Sequence, residues 1–387
     1  MFRPEWVTIR AARARAGHSP ELVAAPYLAS VPLLPLHGHD SPRRRLDDAI
    51  RRGALPGSLL LQGPRGVGKQ RLALWLGQRL LCDGPEPRPC GRCQHCRYAL
   101  AGAHPDIHWY FPRPRLKDAD PSPADVEDDF REAVGERTKS GVYAPPPPED
   151  AILIATIRAM AHSASLLPAL AARSVYILGD ADRLVVREDS EFAAGAFLKL
   201  LEEPPPRATI VLTSSEPGAL IPTIRSRVVA VRLAPLAPEA VDAVLAEPAM
   251  REALSAAGVA ASLDEQRRIA AGAPGSLLAR GEWADALVRA RGMLDAAGAG
   301  DRREQMRTAL LQGSAKARGA FSTSLDALTS LLHERARVAV DRGNPRGARA
   351  AARALDLVED AKERATGNVN PQLITSELLR QLEDVLR

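Results

Sequence analysis

The amino-acid sequence predicts an α/β domain built on a parallel sheet, followed by a small helical domain and a larger helical one. Three observations carry this expectation. Short apolar runs alternate with helical periodicities between residues 58 and 233, and strands that alternate with helices pair in parallel. A glycine-rich segment, Gly63-Pro64-Arg65-Gly66-Val67-Gly68-Lys69, separates the first apolar run from a helix-like stretch, the context a phosphate loop requires. From Pro238 to Arg387 the pattern is helical throughout and rich in Ala, Leu and Arg.

Taken in order, residues 1–30 read as an irregular N-terminal extension. Its several Arg and few acids faintly resemble a transit peptide, without the apolar stretch of a signal peptide. A helical pattern with Leu46, Ala49 and Ile50 follows within 31–50. Ser58–Leu61 reads as a buried strand and Arg71–Leu81 as a helix. Residues 112–150 hold eight prolines and ten acids against six bases, a composition read as a mobile surface insertion with a short helix around Val126–Val134. Ile152–Met160 reads as a helix, Ser174–Leu178 as a strand, and Phe192–Glu202 as a helix stopped by Pro204-Pro205-Pro206. Thr209–Thr213 and Val228–Leu233 complete the strands. Gly-rich breaks near Gly272–Gly275 and Gly298–Gly300 divide the helical remainder. The expected domains are 31–235 (with a metal module at 82–96), 236–285 and 286–387.

Composition narrows the function classes. No run of about 18 apolar residues occurs, so no membrane span is expected. The net charge of +5 permits contact with nucleic acid, but aromatics are only 4%, which argues against a base-stacking platform. All four cysteines cluster, which favours a reducing cytoplasm over a disulfide framework.

Those cysteines, Cys82, Cys90, Cys93 and Cys96, follow the pattern C-x7-C-x2-C-x2-C. Four soft thiolates at this spacing can close a tetrahedral shell around one Zn2+, with no position left open, so the metal is expected to be structural. His95 and His104 lie in and beyond the cluster and read as ordinary surface or core histidines. An iron–sulfur cluster is the minor alternative.

In the glycine-rich segment, Gly63, Gly66 and Gly68 let the backbone approach anionic phosphates, and Lys69 supplies a point charge. The loop pattern then wants Ser or Thr to place a hydroxyl on Mg2+; here Gln70 stands instead. The strand Val175–Leu178 should end in a metal-holding Asp followed by a Glu. The sequence reads Gly179-Asp180-Ala181-Asp182, so the first acid is gone and the second is Asp180. Two losses at one metal predict inefficient hydrolysis, with ATP or ADP binding left open.

Together these pieces resemble the clamp-loader branch of the AAA+ ATPases, and within it the bacterial DNA polymerase III delta-prime subunits. The resemblance runs over about residues 35–235 and weakly into the C-terminal third. It is carried by Gly53–Leu61, by Cys82–Cys96 with His104-Pro105-Asp106, by Ala196-Phe197-Leu198-Lys199-Leu200-Leu201-Glu202-Glu203-Pro204-Pro205, by Leu220–Arg227, and by Asn368-Val369-Asn370-Pro371 with Leu373 and Leu378-Leu379. It implies an AAA+ domain with a zinc insertion, a helical lid and a helical collar. It implies that Arg227 acts as an arginine finger on the nucleotide of a neighbouring subunit. Val228 replaces the family's cysteine after that Arg, Leu278 stands where active relatives carry Arg, and the 112–150 segment is longer than usual. These departures fit a stator with little ATPase activity of its own. The partners implied are motor (gamma/tau) subunits and a delta subunit in a five-subunit arc, a sliding clamp and primed DNA, with no membrane. The rivals are a hydrolysing motor subunit of the same machine and a zinc-containing AAA+ adaptor in DNA repair.

Overall fold

A computed structural model describes residues 32–118, 120–147, 150–184, 191–257, 259, 262–278, 282–312, 318–366 and 369–386. The expected N-terminal extension and Asn368 lie outside these residues.

The apolar run at Ser58–Gln62 forms strand β1, whose first four residues are buried. Around it assemble β2 (Ile107–Tyr110), β3 (Ser174–Leu178), β4 (Ala208–Ser214) and β5 (Val229–Arg232). They make one sheet in the order β2-β3-β4-β1-β5, every pairing parallel. Leu60 pairs with Leu212 on one side and Ala230 on the other. Every residue of β3 and β4 is buried, as a parallel sheet covered on both faces requires. Each fully buried Leu or Ile there contributes about 1.5–3 kcal/mol. The strand missed in the sequence is β2. It is short and polar at His108, and it sits at the sheet edge, where His108 stacks on Tyr176 with ring centres 4.7 Å apart.

Helices cover the sheet: α1 (Asp40–Arg51), α2 (Lys69–Leu81), α3 (Gln94–Leu100), α4 (Pro123–Thr138), α5 (Ile154–Ala164), α6 (Glu191–Glu202) and the single turn α7 (Pro222–Arg225). Helix α5 starts two residues later than expected, because Ile152 instead bridges to Leu184.

The 112–150 segment departs from the expected mobile insertion. It carries the 16-residue helix α4, opened by a capping box in which Ser122 and Asp125 each accept the other's backbone N–H, with Pro123 in the first turn. Val126, Phe130, Ala133 and Val134 are buried, and the Phe130 ring meets Tyr110 and Phe111 edge-on at 5.1 and 5.5 Å. The apolar residues pack against the edge of the sheet, Glu127 turns in to Tyr110 and Asp129 pairs with Arg113, so the helix expected around Val126–Val134 is present and longer, within an ordered segment.

Three short helices follow, α8 (Pro238–Ala246), α9 (Pro248–Ala256) and α10 (Leu263–Ala270), then the 3-10 turn Pro274–Leu278. Their buried residues, among them Val241, Leu245, Met250 and Leu278, join the same core as the sheet. The last helices, α11 (Glu282–Ala299), α12 (Arg302–Leu310), α13 (Arg318–Asp341), α14 (Pro345–Thr366) and α15 (Pro371–Leu386), enclose a separate core running from Ala286 to Leu382. Among the described residues, no helix is long and apolar enough to cross a membrane.

Candidate phosphate-loop cavity and metal centre

Strand β1 ends at Gln62, and the glycine-rich loop turns directly into α2, with Gly68 left-handed at the helix N-cap. The loop therefore sits at the C-terminal edge of the sheet, where β1, β3 and β4 all end. Gly66 is needed for close approach: its φ is +79°, and a β-carbon there would collide with the Ser276 backbone nitrogen. Its carbonyl accepts from Gly275 N at 3.0 Å, joining the loop to the 3-10 turn after α10. His39 steadies the loop through its Nε2, 2.8 Å from Val67 O.

Lys69 is buried, and its ammonium donates to Gly63 O at 2.9 Å, Pro64 O at 2.8 Å and Ser215 Oγ at 2.8 Å. Burial pushes its proton affinity down to about 8, against the pull of Asp180 and Asp182. Ser215, just past β4, is a loop partner that no sequence pattern singled out. Its own N–H donates to Asp182 Oδ1 at 3.0 Å. Burial and the neighbouring Asp180 charge raise the Asp182 carboxyl above its ordinary range.

At the position where the loop pattern calls for a metal-binding hydroxyl, a carboxamide is tied to two protein partners. Gln70 Nε2 donates to Asp180 Oδ2 at 3.0 Å, and Gln70 Oε1 accepts from Trp109 Nε1 at 2.9 Å. Gly179 gives this amide its room: a β-carbon on residue 179 would stand 2.5 Å from Gln70 Oε1. A carboxamide already satisfied on both sides, beside a residue with no side chain, does not fit an octahedral Mg2+ site of oxygen donors.

Above the loop lies a cavity. Its lining combines apolar side chains, Leu34, Leu36, Leu236, Val244, Met250 and Leu278, with the cations Arg65, Lys69, Arg71, Arg137 and Arg183 and the acids Asp180 and Asp182. Arg137 comes from α4. Its guanidinium lies 4.0 Å over Phe111, 4.7 Å over Trp109 and 4.8 Å over Tyr143. Its Nη1 is buried and has no hydrogen-bond partner among the described residues.

Arg227 lies outside this cavity, between α7 and β5. It is partly exposed, donating from Nε to Glu202 Oε2 at 3.2 Å and from Nη1 to Thr223 O at 3.1 Å. Strand β5 is a sheet edge with Val229 half exposed.

The four cysteine sulfurs converge, all within 4.8 Å of one another. Backbone N–H groups point at them: Cys90 N to Cys82 Sγ at 3.3 Å, Cys93 N to Cys90 Sγ at 3.4 Å and Cys96 N to Cys93 Sγ at 3.4 Å. Such donors stabilise thiolates. An all-sulfur donor set of this size fits a structural zinc, held by Cys82 at the end of α2 and by Cys90, Cys93 and Cys96 leading into α3. The histidines stay outside the donor set. His95 Nδ1 and His104 Nε2 meet at 2.9 Å, and burial pushes His104 down to about 4.

The model of the family described as DNA polymerase III, delta subunit, matches residues 38–237. The DNA polymerase III subunit delta' of Pseudomonas aeruginosa is 32% identical over 171 residues, 44% of this chain and 40% of that protein. The subunit delta' of Escherichia coli K12 is 29% identical over 223 residues, 57% of this chain and 53% of that one. The DNA polymerase III subunit gamma/tau of Mycobacterium bovis is 26% identical over 183 residues, 47% of this chain and 25% of that one. The chain thus spans about half or less of the curated relatives it matches.

Proposed function

The chain belongs to the DNA polymerase III delta-subunit family, and from that premise we propose that it is the delta-prime-type stator of a clamp loader. In this reading it sits in a five-subunit arc with gamma/tau motors and a delta subunit. It helps place a sliding clamp on primed DNA, in the cytoplasm, and hydrolyses little or no ATP itself.

The observation that carries the reading is the Trp109–Gln70–Asp180 chain of hydrogen bonds beside Gly179, which ties up the position where the loop pattern calls for a metal-binding hydroxyl. Without the metal nothing coordinates the β- and γ-phosphate oxygens together for transfer. A motor reading would need Gln70 to leave two partners at once, and Leu278 offers the nucleotide no charge where an Arg would. Arg227 supports the other half of the reading. It stands at the surface beside an open sheet edge, bonded to Glu202, and this exposure supports a role outside its own subunit. There its guanidinium would stabilise charge on the phosphoryl group of the neighbour's nucleotide. The zinc holds the 82–96 module together and takes no part in chemistry.

ATP hydrolysis by a reconstituted loader with clamp and primed DNA, comparing wild type with Arg227→Ala, tests this alongside the isolated chain. The expected result is an inert isolated chain and a slower assembled complex. Turnover by the isolated chain would transfer it to the motor class.

A further inference from the structure

Helix α5 and strand β3 are joined by the turn 165–173, which exposes three leucines within five residues: Leu166 is 45% exposed, Leu167 80% and Leu170 38%. None of the three belongs to either core. Single exposed leucines are ordinary, but a cluster of them marks a contact surface. The turn is firmly held. Asp106, itself buried, accepts the backbone N–H groups of Ala169, Leu170 and Ala171 at 2.5, 2.8 and 2.6 Å. Leu166 N donates to Ser163 O at 3.1 Å, and Pro168 has its φ fixed by its ring. A buried carboxylate given to three consecutive amides thus orders the backbone while the leucines stay in water. Such ordering before contact lowers the entropic cost of docking.

The turn precedes β3, so it lies at the N-terminal end of the parallel sheet. The phosphate loop lies at the opposite end, with the C-terminal helices that Arg65 and Ser322 tie to it. Arg227 precedes β5, three strands across the sheet from β3, roughly 14 Å at the usual strand spacing. The surroundings in sequence are basic. From Ala151 to Gly179 there is no Asp or Glu. Arg173 closes the turn, and Ser174 N donates to Arg207 O at 2.8 Å, which sets the exposed Arg207 beside it.

We propose that the 165–173 turn docks into an apolar, acid-rimmed pocket of the sliding clamp, with Leu166, Leu167 and Leu170 inserted and Arg173 and Arg207 at the rim. The partner's identity rests on the clamp-loader reading above. In an arc joined through its C-terminal helices, this end of the sheet points away from the joined end, toward the protein the arc carries. The chemistry selects a protein over DNA: leucines offer phosphates nothing, and the turn holds no aromatic ring on which a base could stack. The two arginines steer an acidic surface toward the turn and set its orientation, while the leucines supply the buried contact.

Biolayer interferometry on immobilised sliding clamp, with the zinc-loaded full chain in solution, tests the proposal; primed DNA and gamma/tau are immobilised in parallel. The wild type should bind the clamp. Leu166→Gln with Leu167→Gln should weaken that binding about tenfold or more, as expected when two leucines no longer bury their side chains. Arg173→Gln with Arg207→Gln should slow association about threefold or more at low salt, a difference that fades as salt rises. All four positions reach solvent, so both variants should keep the wild-type melting temperature, zinc content and assembly with gamma/tau and delta. Absence of clamp binding by a wild-type chain that assembles with gamma/tau and delta overturns the proposal and leaves the loader reading standing. Clamp binding unchanged in the folded leucine variant overturns the assignment to this turn. A loss confined to primed DNA or to gamma/tau overturns the clamp as its occupant. A wild-type chain that fails to assemble with gamma/tau and delta sinks the loader reading instead, while its clamp binding still decides the proposal.

Discussion

Gln70 and Gly179 are a matched pair: the Gln70 carboxamide fills the space that a side chain on residue 179 would need, with Oε1 2.5 Å from where its β-carbon would stand. The two departures from a metal-binding phosphate site therefore depend on each other. Gly179→Asp alone should destabilise the chain by about 1–3 kcal/mol, because the new side chain collides with an amide held by both Trp109 and Asp180. Adding Gln70→Thr should recover most of that loss by clearing the space. Urea unfolding of the two single variants and the double variant measures the coupling, expected at about 1 kcal/mol or more. Strict additivity would show that the pair is not matched.

The four-cysteine cluster, read as a zinc site, predicts a linked loss of metal and stability. Cys96 is fully buried and closes the donor set at the start of α3. Cys96→Ser should lower bound zinc from about one per chain toward none and the melting temperature by several degrees, since metal binding adds to folding free energy. Elemental analysis and thermal melts read both quantities. A variant that keeps its zinc would remove Cys96 from the ligand set.

Lys69 gives a pH dependence with a definite sign. Its folded proton affinity is pushed from 10.5 down to about 8 by burial. Below about pH 8 both folded and unfolded chains hold the proton, and the penalty of burying the charge is present in full. Between about 8 and 10.5 the unfolded chain holds the proton while the folded chain releases it, so stability rises with pH. Relative to Lys69→Met, the wild type should gain about 2 kcal/mol between about pH 7.5 and about pH 9.5 in urea unfolding. A gap independent of pH would mean that Lys69 keeps its ordinary affinity.

What the sequence disclosed was local, and what it hid was tertiary. The loop from Gly63 to Lys69, the cysteine spacing, and strands β1, β3 and β4 announce themselves through neighbouring residues, because their chemistry is set by spacing along the chain. Strand β2 has only four residues, and the polar His108 interrupts its apolar run. Helix α4 was expected only as a short stretch around Val126–Val134, and the acids and prolines around it hid its full length, Pro123–Thr138. The partners that define the site, Trp109 for Gln70, Ser215 for Lys69 and Arg137 for the cavity, come from the ends of β2 and β4 and from α4. Only the strand order brings them together.

Arg65 makes the phosphate loop a joint between the α/β domain and the C-terminal helices. It reaches Thr323 at 3.4 Å, and the adjacent Ser322 donates to Glu216, in the turn after β4. One helical turn on, Asp326 pairs with Lys362 of α14 at 2.9 Å. Burial alone would lower the Arg65 proton affinity, but the carboxylates of Asp326, Asp180, Glu216 and Asp182 outweigh it and raise it. The C-terminal helices have their own core, with Ile269 packed against both, so this polar cluster is a main tie between two separately cored units. Arg65→Ala removes the contact to Thr323 and one of the cations those carboxylates share with Lys69 and Lys362, at a cost of about 0.5–3 kcal/mol. Calorimetry should then resolve two transitions where the wild type shows one, since the C-terminal core no longer unfolds with the sheet. A single transition with an unchanged midpoint in Arg65→Ala would place the joint elsewhere.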